Sequence, residues 1–239
     1  MANKEDIERA REGKNAWNAW AAEELKKPRD QRTGVDFSGE PLPVIYFSGF
    51  VFPGRANFAG ATFNDEANFK GATFNGQVHF EGAAFNREAH FEGATFRRYT
   101  HFKDATFESS ANFNNATFED TAIFTHATFK IAPTFHNAAI HQDTEFSSGD
   151  KFFKQFPDIE SDHSERAYRT LKLVMNKYQS HTEEAGFFKL ELQARAKKEK
   201  RYRKWMYDAY GLFSDYGQSV SRPLYWWAGL GVAMFFLYF

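Results

Sequence analysis

Cysteine is absent from all 239 residues, which excludes a disulfide framework, a thiol nucleophile and any cysteine-based zinc site. That absence fits a reducing cytoplasm. The N-terminus also lacks the basic-then-apolar pattern of a secretory signal. No phosphate-binding glycine loop, no nucleophile paired with a base and no dense ligand cluster stands out, so nothing here argues for an enzyme, and no cofactor is expected. Apolar residues make up 42% of the chain, enough for one or two domains plus a tail with a substantial core.

Phenylalanine is abundant instead, at 29 residues, and most of it falls in a pattern that repeats every eleven positions. One series runs Phe58, Phe69, Phe80, Phe91, Phe102, Phe113, Phe124, Phe135, Phe146. A second runs Phe63, Phe74, Phe85, Phe96, Phe107, Phe118, Phe129 and then Ile140. The steps alternate five and six, and a small or modest side chain, usually alanine, precedes each by two. Neither an amphipathic helix nor a flat strand has this spacing. A unit so short cannot bury its own apolar face and must stack on its neighbours, as in a solenoid. Each Phe is therefore expected to point inward and stack along the axis, with Ala beside it and Asn, Gly and Asp at the corners.

Ala-Asn-Phe-x-Gly and Ala-Thr-Phe-x-x resemble pentapeptide repeats of the Phe-centred variety over about residues 35–146. The resemblance implies a right-handed, four-sided β-helix with two eleven-residue units per coil. Residues 58–146 would then form about four coils, a rod about 20 Å tall at the strand spacing of a sheet.

Residues 1–34 are expected to cap this solenoid. The first 27 read as one charged helix with Ile7, Ala10, Trp17, Trp20, Ala21 and Leu25 as its apolar stripe. The run from Gly13 to Trp20 resembles a segment that precedes the repeats in many members of the family. Trp17 and Trp20 are read as covering the open end of the β-helix, with a partner-binding patch as the alternative.

Along the outer surface, His79 and His101 should lie on one side in adjacent coils, about 5 Å apart, with His90 facing the other way. A shared metal is not expected there, because the same column continues with Asn57 and Ile123 and supplies no third ligand. Arg97, Arg98 and Tyr99 are read as surface decoration rather than a nucleic-acid site. Residues 56–146 carry eleven acidic against six basic side chains.

The chain changes character after residue 146. Residues 147–222 are expected to hold a linker and two helices, one from about Ser164 and one from about Thr182, ending in a cluster of Lys and Arg. Residues 223–239 carry no charge. They are read as a transmembrane helix that continues past Phe239, with a buried core helix as the alternative. Arg201, Arg203, Lys204, Arg222, Trp226 and Trp227 are the expected membrane-proximal residues, and the positive side places the repeats in the cytoplasm, at a bacterial inner membrane. The segment joining repeats to the apolar run resembles that of some two-helix channel-like proteins, though no selectivity-filter sequence is present.

The expected function is a non-enzymatic, membrane-tethered scaffold. Its partners would be the lipid bilayer, an unidentified protein and a second copy of the chain, with nucleic acid not expected. The alternatives are the sensing domain of a channel-like membrane protein and a soluble DNA mimic acting on a topoisomerase.

Overall fold

The computed structural model describes residues 2–39, 41–42, 45–146, 152–199, 201–219 and 221–226. It divides into two compact units, Met1–Asp158 with Lys177–Gln179, and Ile159–Asn176 with Ser180–Phe239.

The first unit is built from strands only two residues long, because the chain must turn after each inward Phe or Ala. Each strand pairs in parallel with the strand one coil on: Ala56 with Val78, Ala67 with Ala89, Thr73 with Thr95 and Thr62 with Ala84. These pairings generate sheets of five, three, four and five strands among the described residues, the four sides of a β-helix whose coil is two repeats.

All sixteen ladder phenylalanines, Phe58 through Phe146, are buried. Side chains one coil apart form columns. In the longest, Phe37, Phe58, Phe80, Phe102, Phe124 and Phe146 follow one another at 4.8 to 5.0 Å with ring planes within 10°. Neighbouring columns meet edge to face, as Phe80 and Phe91 do at 5.7 Å and 80°. Each ring thus has offset-stacked and edge contacts at once, the two arrangements its quadrupole favours. Phe47 and Phe52, one eleven-residue period before Phe58 and Phe63, extend the columns toward the N-terminus, stacking on Phe69 and Phe74.

One corner per repeat takes a left-handed backbone. Gly60, Gly71, Gly82 and Gly93 occupy it first at φ 64°, and Asp104, Asn115, His126 and Asn137 then hold it at φ 54° to 61°. Glycine adopts this region freely, and short polar side chains tolerate it better than apolar ones.

The N-terminal region corrects the single-helix expectation. It forms α1 (Lys4–Arg11) and α2 (Lys14–Lys26), separated at Gly13, whose φ of 91° no helix accommodates. Residues 152–158, expected as linker, instead close the other end of the rod. There α3 (Phe152–Gln155) is followed by Phe156, which stacks on Phe129 at 5.4 Å in place of a further coil. Gln155 Nε2 donates to the Phe124 carbonyl at 2.6 Å, and Asp158 accepts from Ala132 N at 2.9 Å.

The second unit contains α4 (Ser164–Lys177) and α5 (His181–Lys198), close to the expected starts, and α6 (Arg201–Ser214), a third helix where two were expected. The basic cluster straddles the break between α5 and α6 at Glu199, whose backbone is extended. The core includes Tyr168, Leu171, Met175, Phe187 and Leu190.

Glu191 is buried at the α4–α5 contact and takes hydrogen bonds from Arg169 at 2.9 Å, Lys172 at 2.6 Å and Arg195 at 2.8 Å. Burial alone would raise its pKa, but the Lys172 and Arg169 hydrogen bonds and charges outweigh it and hold the carboxyl below its ordinary 4.5. A lowered acid pKa adds stability that is present above the unfolded value and is lost as pH falls through the folded one. We expect acid titration, followed by helical circular dichroism, to destabilise this unit below about pH 4.5, and Glu191→Gln to remove most of that dependence. An unchanged acid profile in the variant would mean that other carboxylates set it.

Candidate functional site

The ends of the rod show how recognition is built into its backbone. A first coil leaves unpaired groups on its outer edge, and exposed edges template unwanted pairing. Here the N-terminal helices take them up one by one. Trp17 Nε1 donates to Val51 O at 2.8 Å, while Asn18 accepts from Val51 N at 2.9 Å and donates to Gly49 O at 2.9 Å. Asp6 accepts from Asp36 N at 2.9 Å, and Asn3 N donates to Asp36 O at 2.7 Å. Glu24 accepts from Thr33 N at 2.9 Å. Lys27 and that backbone N–H hold the Glu24 carboxyl below its usual range.

Trp17 is completely buried against Phe50 and Phe52 at 5.4 Å each, as the capping reading expects. Trp20 packs on Trp17 at 5.1 Å and carries the Arg9 guanidinium 4.5 Å from its centroid. The buried partners Asp6 and Glu24 and the half-buried Asn18 were missed from sequence. Only Asn18 had a visible signal, its place between the two tryptophans.

On one side of the rod a groove of about 420 Å³ is lined by Arg29, Arg32, Arg55 and Arg98, with Tyr99 and Gln77 among its walls. Arg32 is spent on the Lys27 and Leu25 carbonyls. Arg29, Arg55 and Arg98 form no ion pair among the described residues. Arg98 and Tyr99, read from sequence as surface decoration, are therefore part of a cationic concavity on a rod whose repeats are acidic in sum.

The histidine columns stand where the period puts them. His79 and His101 are in register, with ring centroids 5.1 Å apart and planes 7° from parallel. The expectation of no third ligand is corrected. Glu81, two residues beyond His79, turns back toward both rings, with its Oε1 2.9 Å from His79 Nδ1 and 3.8 Å from His101 Nδ1. Burial, reinforced by His79 and Arg55 and only partly opposed by Glu81, lowers the His101 pKa below its ordinary 6.5. The repeated words His79-Phe80-Glu81-Gly82 and His90-Phe91-Glu92-Gly93 were the available signal. His90 lies on another face, and its neighbours in register are Asn68 and Asn112.

Of the expected membrane-proximal residues, Arg222 donates to Gly211 O at 3.2 Å and approaches Asp215 at 3.6 Å. Trp226 packs on Phe213 at 5.0 Å and stays 41% exposed. Lys204 is exposed. The side chains of Arg201 and Arg203, and all of Trp227, lie outside what the structure describes. Among the described residues no helix is long and apolar enough to cross a membrane. The membrane-helix expectation for residues 223–239 falls mostly outside them, since the description ends at residue 226. The helical unit does expose Trp205, Met206, Leu212, Phe213 and Leu224.

Residues 47–95, 91–139 and 102–149 each match the family model described as pentapeptide repeats (9 copies). No curated protein and no solved structure matches the chain.

Proposed function

We propose that this chain, a pentapeptide-repeat protein through residues 47–149, is a non-enzymatic scaffold held at the cytoplasmic face of a bacterial inner membrane. Its rod would present an interaction surface to a protein partner or a second copy. Solenoids of this family are generally structural or interaction proteins. The observation that carries the reading is the filled interior: the ladder phenylalanines are all buried, so the rod offers its outer surface for recognition. Fold alone does not assign a function, and the scaffold reading rests on that surface.

Support for the membrane position comes from the uncharged residues 223–239 in the sequence, of which Leu224 and Trp226 are exposed, and from the exposed Trp205 and Met206 of the helical unit, apolar surface of the kind a bilayer covers. The arginine groove weighs against the DNA-mimic alternative, because unpaired guanidiniums at Arg29, Arg55 and Arg98 interrupt the negative surface such mimicry requires.

Fractionation of the native protein tests the tether. We expect it to stay with the membrane through a high-salt wash and to leave only with detergent; release by salt alone would reject an integral anchor. A photo-crosslinking residue in place of the exposed Arg97 tests the scaffold separately. A discrete protein adduct is expected, and its absence at several such outward positions would count against an interaction surface.

A further inference from the structure

We propose that His79, Glu81 and His101 form a binding site for a single zinc ion, or a divalent cation of similar preference, that staples two adjacent coils of the rod.

The period of the fold creates the pair. Strand pairing sets His101 on His79 one coil away, and Glu81 follows His79 around the next corner. Glu81 Oε1 lies 2.9 Å from one Nδ1 and 3.8 Å from the other, and the three donor groups fall within 4.8 Å of one another. Ligands about 2.0 to 2.2 Å from a tetrahedral zinc stand roughly 3.3 Å apart. The two contacts to Glu81 bracket that value, and the longer of them and the imidazole pair must close further, through side-chain rotation. Two imidazoles and a carboxylate are a donor set that suits zinc and its transition-metal neighbours rather than magnesium or calcium, which prefer oxygen. The side chains of His79, His101 and Glu81 are 14%, 25% and 34% exposed, so water can fill the fourth position.

Two further observations point the same way. Glu81 Oε2, the second oxygen of the carboxylate that meets both rings, is buried with no hydrogen-bond partner among the described residues; Glu92 Oε2 beside His90 is in the same state, and His79 Nε2, also unpartnered, is not the ring nitrogen that meets Glu81. Orphaned buried polar atoms are rare in folded proteins, and a bound ion is one of the conditions that explain them. Glu81 also has no lysine or arginine partner among the described residues; its ion-pairing neighbours are the two imidazoles alone. A divalent cation at this position compensates the Glu81 charge. His90 shows what the site requires. It meets Glu92 at 3.2 Å and Glu66 at 3.6 Å, but asparagines flank it in register, and Asn112 already donates to Glu92 at 2.8 Å.

The test is calorimetric titration of the untagged full chain with zinc chloride, paired with thermal melting and with cobalt(II) as a spectroscopic probe. The variants are His101→Asn, Glu81→Gln and, as a control, His90→Asn. Asparagine already stands at the ladder positions Asn57, Asn68 and Asn112, so the histidine variants keep a side chain the coil accepts. Expected are one zinc per chain, a raised melting temperature and a cobalt spectrum of low coordination number. His101→Asn and Glu81→Gln should weaken binding by more than about tenfold, the loss that changes outside the ligand set already produce. His90→Asn should leave it unchanged, and magnesium should not compete. Absence of zinc binding to the wild-type chain, binding that survives both ligand variants, or binding removed by His90→Asn would each overturn the proposal.

Discussion

Phe102→Ala is expected to lower the unfolding free energy of the rod by about 3 to 5 kcal/mol. Phe102 is completely buried, stacked at 4.9 Å on both Phe80 and Phe124 and touched edge-on by Phe91 at 5.6 Å and Phe113 at 5.7 Å. Removing the ring opens a cavity that its neighbours cannot fill by sliding. The coil above and the coil below are held by backbone hydrogen bonds such as Phe102 N to Ile123 O at 2.7 Å. The cost therefore sits with poorly collapsing core sites. Because each coil contacts chiefly its neighbours, the loss should also reduce cooperativity, separating the unfolding of the two halves. Chemical denaturation followed by circular dichroism measures both. A change below about 1 kcal/mol would show that the ring is not an inward core residue.

Trp17→Ala is expected to be comparably severe, at about 3 to 5 kcal/mol, for a different reason. The indole buries its whole surface over the first coil, and its N–H is the partner of the Val51 carbonyl. Losing it removes packing and leaves a backbone acceptor without its donor. Trp17→Phe should retain most of the packing and cost about 1 to 3 kcal/mol for the orphaned carbonyl. The uncapped end should also behave as an exposed edge, so the alanine variant is expected to self-associate, visible as larger species in analytical ultracentrifugation. If Trp17→Ala unfolds at the wild-type denaturant concentration and remains as dispersed as the wild type, the helices are ornament and the coils close themselves.

The surface carries two different chemistries. Summed charge described the repeats as acidic, yet Arg29, Arg55 and Arg98 gather in one groove. A count along the chain could not show this, because Arg55 and Arg98 are brought together by coil stacking and Arg29 arrives from the connection after α2. The same stacking makes a histidine pair out of residues twenty-two positions apart.

The sequence by itself determined the coil, the inward phenylalanines and the columns they form, because each is a local choice repeated until neighbour stacking becomes the one way to bury it. It also determined the helices starting near Ser164 and Thr182, whose apolar spacing and acidic first turns are local signals, observed as Ser164–Lys177 and His181–Lys198. Tertiary structure alone decided what closes the ends. Asn18 meets Val51 across 33 positions and Gln155 meets Phe124 across 31, and no period relates those residues. It also decided that Glu81 completes the histidine pair, because the corner after Phe80 redirects a residue that the column rule assigns elsewhere. Repetition specifies what recurs in every coil, whereas a cap, a groove or a ligand set occurs once and depends on where the chain returns in space.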